Sequence, residues 1–314
     1  MLQAIIRPFQ GRDLEALLAV WNAALPRDAL TERRLLAQVL LDPNVGEGFL
    51  VAEEAGEVVG FVLGIVRREP GADGELEPDR GWITAFGVRP DRQRRGLGTA
   101  LFEAVLEFFR RAGRREVLIS PYVPNYFVPG VDLAAYPAAG PFLARLGFET
   151  ISRPLSMDAH LVTLEVPPAV AARQEALRSQ GFLIRPLTAA DVPAFLEFLA
   201  AAMPADWLRH ARALLHGVAR GDATYDQITL ALQGPDRIVG YAQFEGEHFG
   251  PLGVAEGYRG QGLGTVLLAR TLERMRQHGH HNAWLLWTGD EAARLYARFG
   301  FRETRRFAVM RRRG

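Results

Sequence analysis

The chain contains no cysteine and no lysine. Without cysteine there is no disulfide, no thiolate nucleophile and no Cys-ligated zinc. Without lysine there is no Walker-type phosphate loop, no kinase-type ammonium and no Schiff-base catalyst. All 37 basic residues are arginines, and the formal net charge is only +1, so no broad basic field points to nucleic acid. No apolar run approaches the roughly 18 residues of a membrane span. The opening MLQAIIRPFQ lacks the basic-then-apolar order of a secretory signal, so a cytoplasmic location is expected. His280 and His281 are adjacent and diverge in direction, so no metal site is expected.

What the chain does contain is a phrase used twice. Residues 87–99 read GVRPDRQRRGLGT and residues 253–265 read GVAEGYRGQGLGT. Each leaves a strand-like stretch and enters an amphipathic helix, a geometry that presents backbone N–H groups to a phosphate. The surroundings repeat as well, so the chain reads as two related halves. Ile6-Arg7-Pro8 opens one half and Ile184-Arg185-Pro186 the other, each followed by a helical pattern. Thr188 and Asp191 stand at capping-box spacing. Two strands joined at Ala55-Gly56, or at Gly234-Pro235-Asp236, then form a hairpin. A third strand, the Gly-rich turn, a helix, a short strand and a helix ending in RLGF or RFGF follow. The expected order per half is β-α-α-β-β-β-α-β-α-β-β, a mixed α/β sheet with helices on both faces. The expected boundaries are a first domain over 1–160, a linker over 161–180 with a helical patch, and a second domain over 181–314. The insert at 67–80 of the first half reads as a flexible, acidic-leaning loop.

These repeats resemble the GNAT superfamily of acetyl-CoA-dependent N-acyltransferases, in two tandem copies. Gln93-Arg94-Arg95-Gly96-Leu97-Gly98 and Arg259-Gly260-Gln261-Gly262-Leu263-Gly264 both match its signature of Gln or Arg, two residues, Gly, one residue, then Gly or Ala. The resemblance implies that each turn grips the diphosphate of coenzyme A, with Thr99 and Thr265 adding hydroxyls and the neighbouring arginines charge-assisted contacts. It implies that the strand before the turn pairs with the pantetheine arm, through Phe86 and Val88 in one half and Leu252 and Val254 in the other. A plain dinucleotide fold is excluded, because Leu101 and Leu267 stand where a third glycine would be.

Direct acetyl transfer from a thioester to an amine needs no enzyme nucleophile, which suits a chain without cysteine. It needs a general base for the amine and an acid for the departing thiolate. The resemblance places Tyr296, in LYARFGF, as the general acid. The resemblance also implies a base on the third strand, several residues before its end, where this chain offers His248, flanked by Glu247 and Glu245; an unperturbed imidazole titrates near 6.5. In the first half the tyrosine position holds Leu143 and the strand offers only Trp82 and Thr84, so that half is expected to be catalytically degenerate, with Tyr126 or Tyr136 as substitutes. The expected activity is acetyl-CoA-dependent N-acetylation of a small-molecule or peptide amine. The alternatives are a non-catalytic acyl-CoA sensor or a cysteinyl-amine acetyltransferase of the mycothiol-synthase branch. The tandem copy implies a monomer with an internal pseudo-dimer, or a homodimer.

Overall fold

The computed structural model describes residues 4–71 and 74–314. It divides into two compact units, Met1–Pro154 with Arg306–Gly314, and Leu155–Arg305.

The first unit runs β1 (Ile5–Pro8), α1 (Leu14–Ala24), α2 (Glu32–Leu35), β2 (Phe49–Glu54), β3 (Glu57–Ile65), β4 (Arg80–Val88), α3 (Leu97–Arg111), β5 (Glu116–Ile119), α4 (Ala139–Arg145) and β6 (Glu149–Ser152). The second runs β7 (Leu155–His160), α5 (Ala169–Ser179), β8 (Phe182–Pro186), α6 (Val192–Ala202), α7 (Ala205–Arg220), β9 (Ile228–Gln233), β10 (Arg237–Glu245), β11 (His248–Val254), α8 (Leu263–Gln277), β12 (Asn282–Thr288), α9 (Asp290–Ala297) and β13 (Arg302–Arg306). A last strand, β14 (Val309–Arg313), returns to the first unit. The sheet orders are β1-β2-β3-β4-β5-β14-β6 and β13-β7-β12-β11-β10-β9-β8. Only β4 with β5 and β11 with β12 pair in parallel among the pairs whose register is defined.

The local signals act as their chemistry requires. Ala55 and Gly56 take φ of 54° and 84°, the left-handed pair a two-residue hairpin turn needs. The Thr188–Asp191 capping box forms, and Asp191 also receives both terminal nitrogens of Arg185 at 2.6 and 2.7 Å. Arg7 and Asp13 repeat that device in the first unit at 2.7 and 2.8 Å. Helices cover both faces of each sheet. In the first unit Leu101, Phe102 and Val105 of α3 are buried on one side, and Leu17, Val20 and Trp21 of α1 on the other. In the second, Val266, Leu267 and Leu272 of α8 oppose Phe195, Leu199 and Leu214 of α6 and α7.

Three expectations change. The domain seam does not fall at residue 160. The last strand of each half belongs to the other half's sheet: β7 pairs with β12, while β14 inserts between β5 and β6. Nor is 161–180 a free linker, because Val170 and Leu177 of α5 are buried in the second unit's core. The insert at 67–80 is pinned at its start, where Arg67 is buried over the rings of Trp82 and Tyr122 and pairs with Glu77 at 2.8 Å. Its residues 72–73 lie outside the described residues.

Candidate active site

Each unit opens a cleft where its parallel strand pair parts. In the first unit β4 and β5 pair from Arg80–Ile83 to Glu116–Ile119, with a final bond from the Ser120 N–H to the Ile83 carbonyl at 2.9 Å. Beyond that β4 runs on to Val88 with β3 as its neighbour. An extra residue, Thr84, bulges from β4 where the register with β3 shifts. In the second unit β11 and β12 meet at His248 and Trp284, and β11 continues alone to Val254 on that side.

The Gly-rich turns close the strand ends in the same way. Gln93 donates its side-chain N–H to the Val88 carbonyl at 3.0 Å, and Arg259 does so to the Val254 carbonyl at 3.1 Å. The first residue of each motif therefore shapes the turn. Gly96 and Gly262 sit at φ of 85° and 88°, which a Cβ would resist. Where the second turn has Gly260 at φ 77°, the first has Arg94 at φ 63°, so the first carries local strain. Neither α3 nor α8 has a side-chain cap, which leaves the first-turn N–H groups at Leu97–Thr99 and Leu263–Thr265 for a ligand. Arg95 is exposed beside the first turn and Gln261 half-buried in the second. A diphosphate fits these donors in kind.

The two clefts then diverge. In the first, a cavity of about 620 Å³ runs from the turn at Arg94–Thr99, along Phe86 and Val88, to Trp21, Asp28 and Tyr136. A Cβ on Gly96 would meet nothing within 4 Å, so this cradle is open. Tyr136 donates its hydroxyl to the Asp28 carboxylate at 2.7 Å. Thr84 also lines the cavity, and its hydroxyl is buried without a partner. Leu143 is fully buried in the core and offers no chemistry.

In the second, a cavity of about 400 Å³ is lined by the turn and by Leu252, Val254, Met203, Trp207 and Glu291. A Cβ on Gly253 would come within 2.6 Å of both Met203 and Trp207, so these side chains crowd the strand end. Arg173 of α5 lies over Gly262, 2.8 Å from where its Cβ would be. Neither Tyr296 nor His248 lines this cavity. Tyr296 is 8% exposed, packed edge-on against Phe249 and tilted against Phe301. Burial pushes its hydroxyl up to about 12, so it stays protonated at neutral pH. The His248 ring lies 4.5 Å from that of Trp284. Burial, and then the nearby His210, push His248 down to about 4, so it is neutral at pH 7. The Glu247 carboxylate is occupied elsewhere: it accepts the Asn282 backbone N–H at 3.0 Å and its side-chain amide at 3.2 Å, anchoring the start of β12.

Three groups lay beyond the sequence reading. Asp28 carries no local signal, because its partner is over a hundred positions away. Asp206 and His210 stand four apart on α7 with 3.3 Å between carboxylate and imidazole, a spacing visible in DWLRH. Arg173 sits in the stretch expected to be linker.

The acetyltransferase (GNAT) family model matches residues 14–126, and a GNAT domain model matches residues 224–303. Together they take in more than half of the chain. A mycothiol acetyltransferase of Pseudarthrobacter chlorophenolicus is 34% identical over 134 residues, 41% of this chain and 40% of that protein. The chain thus matches less than half the length of this curated relative. Among solved structures, a GCN5-related glucosamine N-acetyltransferase region of a fungal multidomain β-N-acetylglucosaminidase superposes with a TM-score of 0.78 at 20% identity. That superposition covers 99% of this chain and 38% of that one. A tandem GNAT protein from the clavulanic acid biosynthesis pathway superposes with a TM-score of 0.62 at 18% identity, covering 99% and 98%. At these identities the likeness is one of fold.

Proposed function

Because the chain belongs to the GNAT family of N-acetyltransferases, we propose that it transfers an acetyl group from acetyl-CoA to a primary amine, with the carrier seated in the N-terminal cleft. The observation that carries this reading is the single 620 Å³ cavity joining the open turn at Arg94–Thr99 to the parted end of β4. The turn's N–H groups and arginines suit a diphosphate. The strand edge at Phe86 and Val88 suits the peptide-like pantetheine arm, and a strand N–H there suits the thioester oxygen, which becomes an oxyanion as the amine attacks. The polar far end suits an acceptor. The curated relatives make a mycothiol-type acceptor amine a first substrate to assay, and the glucosamine-acetylating neighbour makes glucosamine a second.

A second reading places transfer in the C-terminal half, with Tyr296 protonating the leaving thiolate and His248 accepting the amine proton. Their protonation states at pH 7 favour it; that neither lines the cavity counts against it. Gly98→Glu and Gly264→Glu separate the two. Each sets a carboxylate in the first turn of one helix, where the diphosphate would lie. Carrier binding by calorimetry and release of free thiol with a panel of primary amines are the readouts. Loss of turnover in Gly98→Glu alone supports the N-terminal cleft, and loss in Gly264→Glu alone overturns it.

A further inference from the structure

We propose that Asp28 and Tyr136 form a one-proton relay in the N-terminal cavity, supplying the acid and base that the signature positions of this half lack. The inference rests on the reading that transfer occurs in this cleft.

Leu143 stands where the second half has Tyr296, and Trp82 where it has His248. Both are buried in the core and neither moves a proton. Within the same cavity the chain instead holds a carboxylate and a phenol joined at 2.7 Å. Each is held from behind. The Trp21 indole donates to the Asp28 carbonyl at 3.0 Å, and the Asn22 side chain brackets Leu30, accepting its N–H at 2.6 Å and donating to its carbonyl at 3.1 Å. Asp132 takes the N–H groups of Ala134 and Ala135, and its carbonyl accepts the Tyr136 N–H at 2.9 Å. A pair fixed from both sides meets the requirement that reacting groups be positioned before substrate arrives. The end of α1, four residues before Asp28, also lies against the transfer strand: a Cβ on Gly87 would fall 2.8 Å from that of Ala24. The buried hydroxyl of Thr84, at the β4 bulge, lines the same cavity.

The balance of the step is as follows. The acceptor enters as an ammonium, drawn by Asp28, and loses its first proton to solvent at the cavity mouth. Its nitrogen lone pair forms the C–N bond at the thioester carbon while the C–S bond breaks. Asp28 takes the remaining surplus proton from nitrogen. Tyr136 gives its hydroxyl proton to the departing thiolate, and Asp28 restores it across their hydrogen bond. One amide and one free thiol result, and both side chains return to their starting states.

The test is the turnover of acetyl-CoA by the full chain with the primary-amine panel, in Tyr136→Phe, Asp28→Asn and the double variant. Each single change is expected to lower kcat by about 10²- to 10⁴-fold, as loss of a positioned acid or base does. Carrier affinity should hold within about twofold, and the double variant should be no slower than the slower single, because members of one relay are not additive. Tyr136→Phe turning over within about threefold of the parent, while Gly98→Glu is dead, overturns the relay and leaves the site standing. A fully active Gly98→Glu, or a parent chain that acetylates no amine, overturns the site and the relay with it.

Discussion

Gly98→Glu is the most informative single substitution, because binding and stability should respond in opposite directions. Gly98 is the second residue of α3, and a Cβ there would stand 3.5 Å from the Phe142 ring, an ordinary contact. Removing a glycine from a helix gains up to about 1 kcal/mol, and a carboxylate in the first turn gains about 0.3–1 kcal/mol from the helix dipole. The folded chain should therefore melt at the same temperature or slightly higher. Carrier binding should collapse. Each charge-assisted bond to a diphosphate is worth about 1.5–3 kcal/mol, so losing two weakens binding by about 3–6 kcal/mol, or roughly 10²- to 10⁴-fold. Acetyl-CoA at a hundred times its Kd stabilises a binding unit by about 2.7 kcal/mol. For a domain of this size that raises the midpoint by about 5–11 °C. Thermal unfolding with and without acetyl-CoA reads both effects, and the variant should lose the ligand-induced shift of the N-terminal unit. An undiminished shift in Gly98→Glu, with Gly264→Glu losing it, would refute the argument from cavity shape.

Two further outcomes follow from the second unit. Tyr296→Phe should leave turnover within about threefold of the parent, since Tyr296 is buried among Phe249 and Phe301 and does not line the cavity; a loss of a hundredfold or more in initial rates would restore the C-terminal reading. His248 is pushed down to about 4, so between that value and the unfolded value of 6.5 the unfolded chain binds more protons. Stability should be full above pH 6.5 and fall as pH drops toward 4, by up to about 1.4 kcal/mol per pH unit. Urea unfolding across that window should show the slope in the parent and a shallower one in His248→Gln.

The features legible in the sequence are those set by near neighbours. The turn at Ala55-Gly56, the Thr188–Asp191 cap and the two Gly-rich turns each need only a few consecutive residues to specify them, and each forms. What stayed hidden depends on distant pairing. Glu247 looked like a base because it flanks His248; Asn282, on another strand, claims it. Gln93 and Arg259 stand out in the sequence only as motif residues; the Gln93 amide and the Arg259 Nε also turn back to the strand ends. Asp28 and Tyr136 belong to segments with no periodicity, and only the fold joins them. The larger open cavity likewise lies in the half whose motif positions are the poorer in chemistry.

The exchanged strands carry the sharpest consequence of this kind. A domain ending at residue 160 would contain every element of the first half and still lack β14. That strand supplies the partner of β5 from Met310–Arg313 against Glu116–Ile119, and of β6 beyond it. With it go Phe307, Ala308, Val309 and Met310, all under 5% exposed. Full burial of a side chain such as Phe, Val or Met is worth about 1.5–3 kcal/mol, so three of them contribute about 5–9 kcal/mol. A whole domain is stable by only about 5–15 kcal/mol. The fragment 1–160 should therefore fail to fold cooperatively, leaving β5 as an open edge. A synthetic peptide of residues 306–314 added in excess should restore a cooperative thermal transition, because the missing piece is a strand and not a tether. Had the seam lain where the sequence placed it, fragment 1–160 would melt cooperatively alone and ignore the peptide; circular dichroism on the two samples decides between these outcomes.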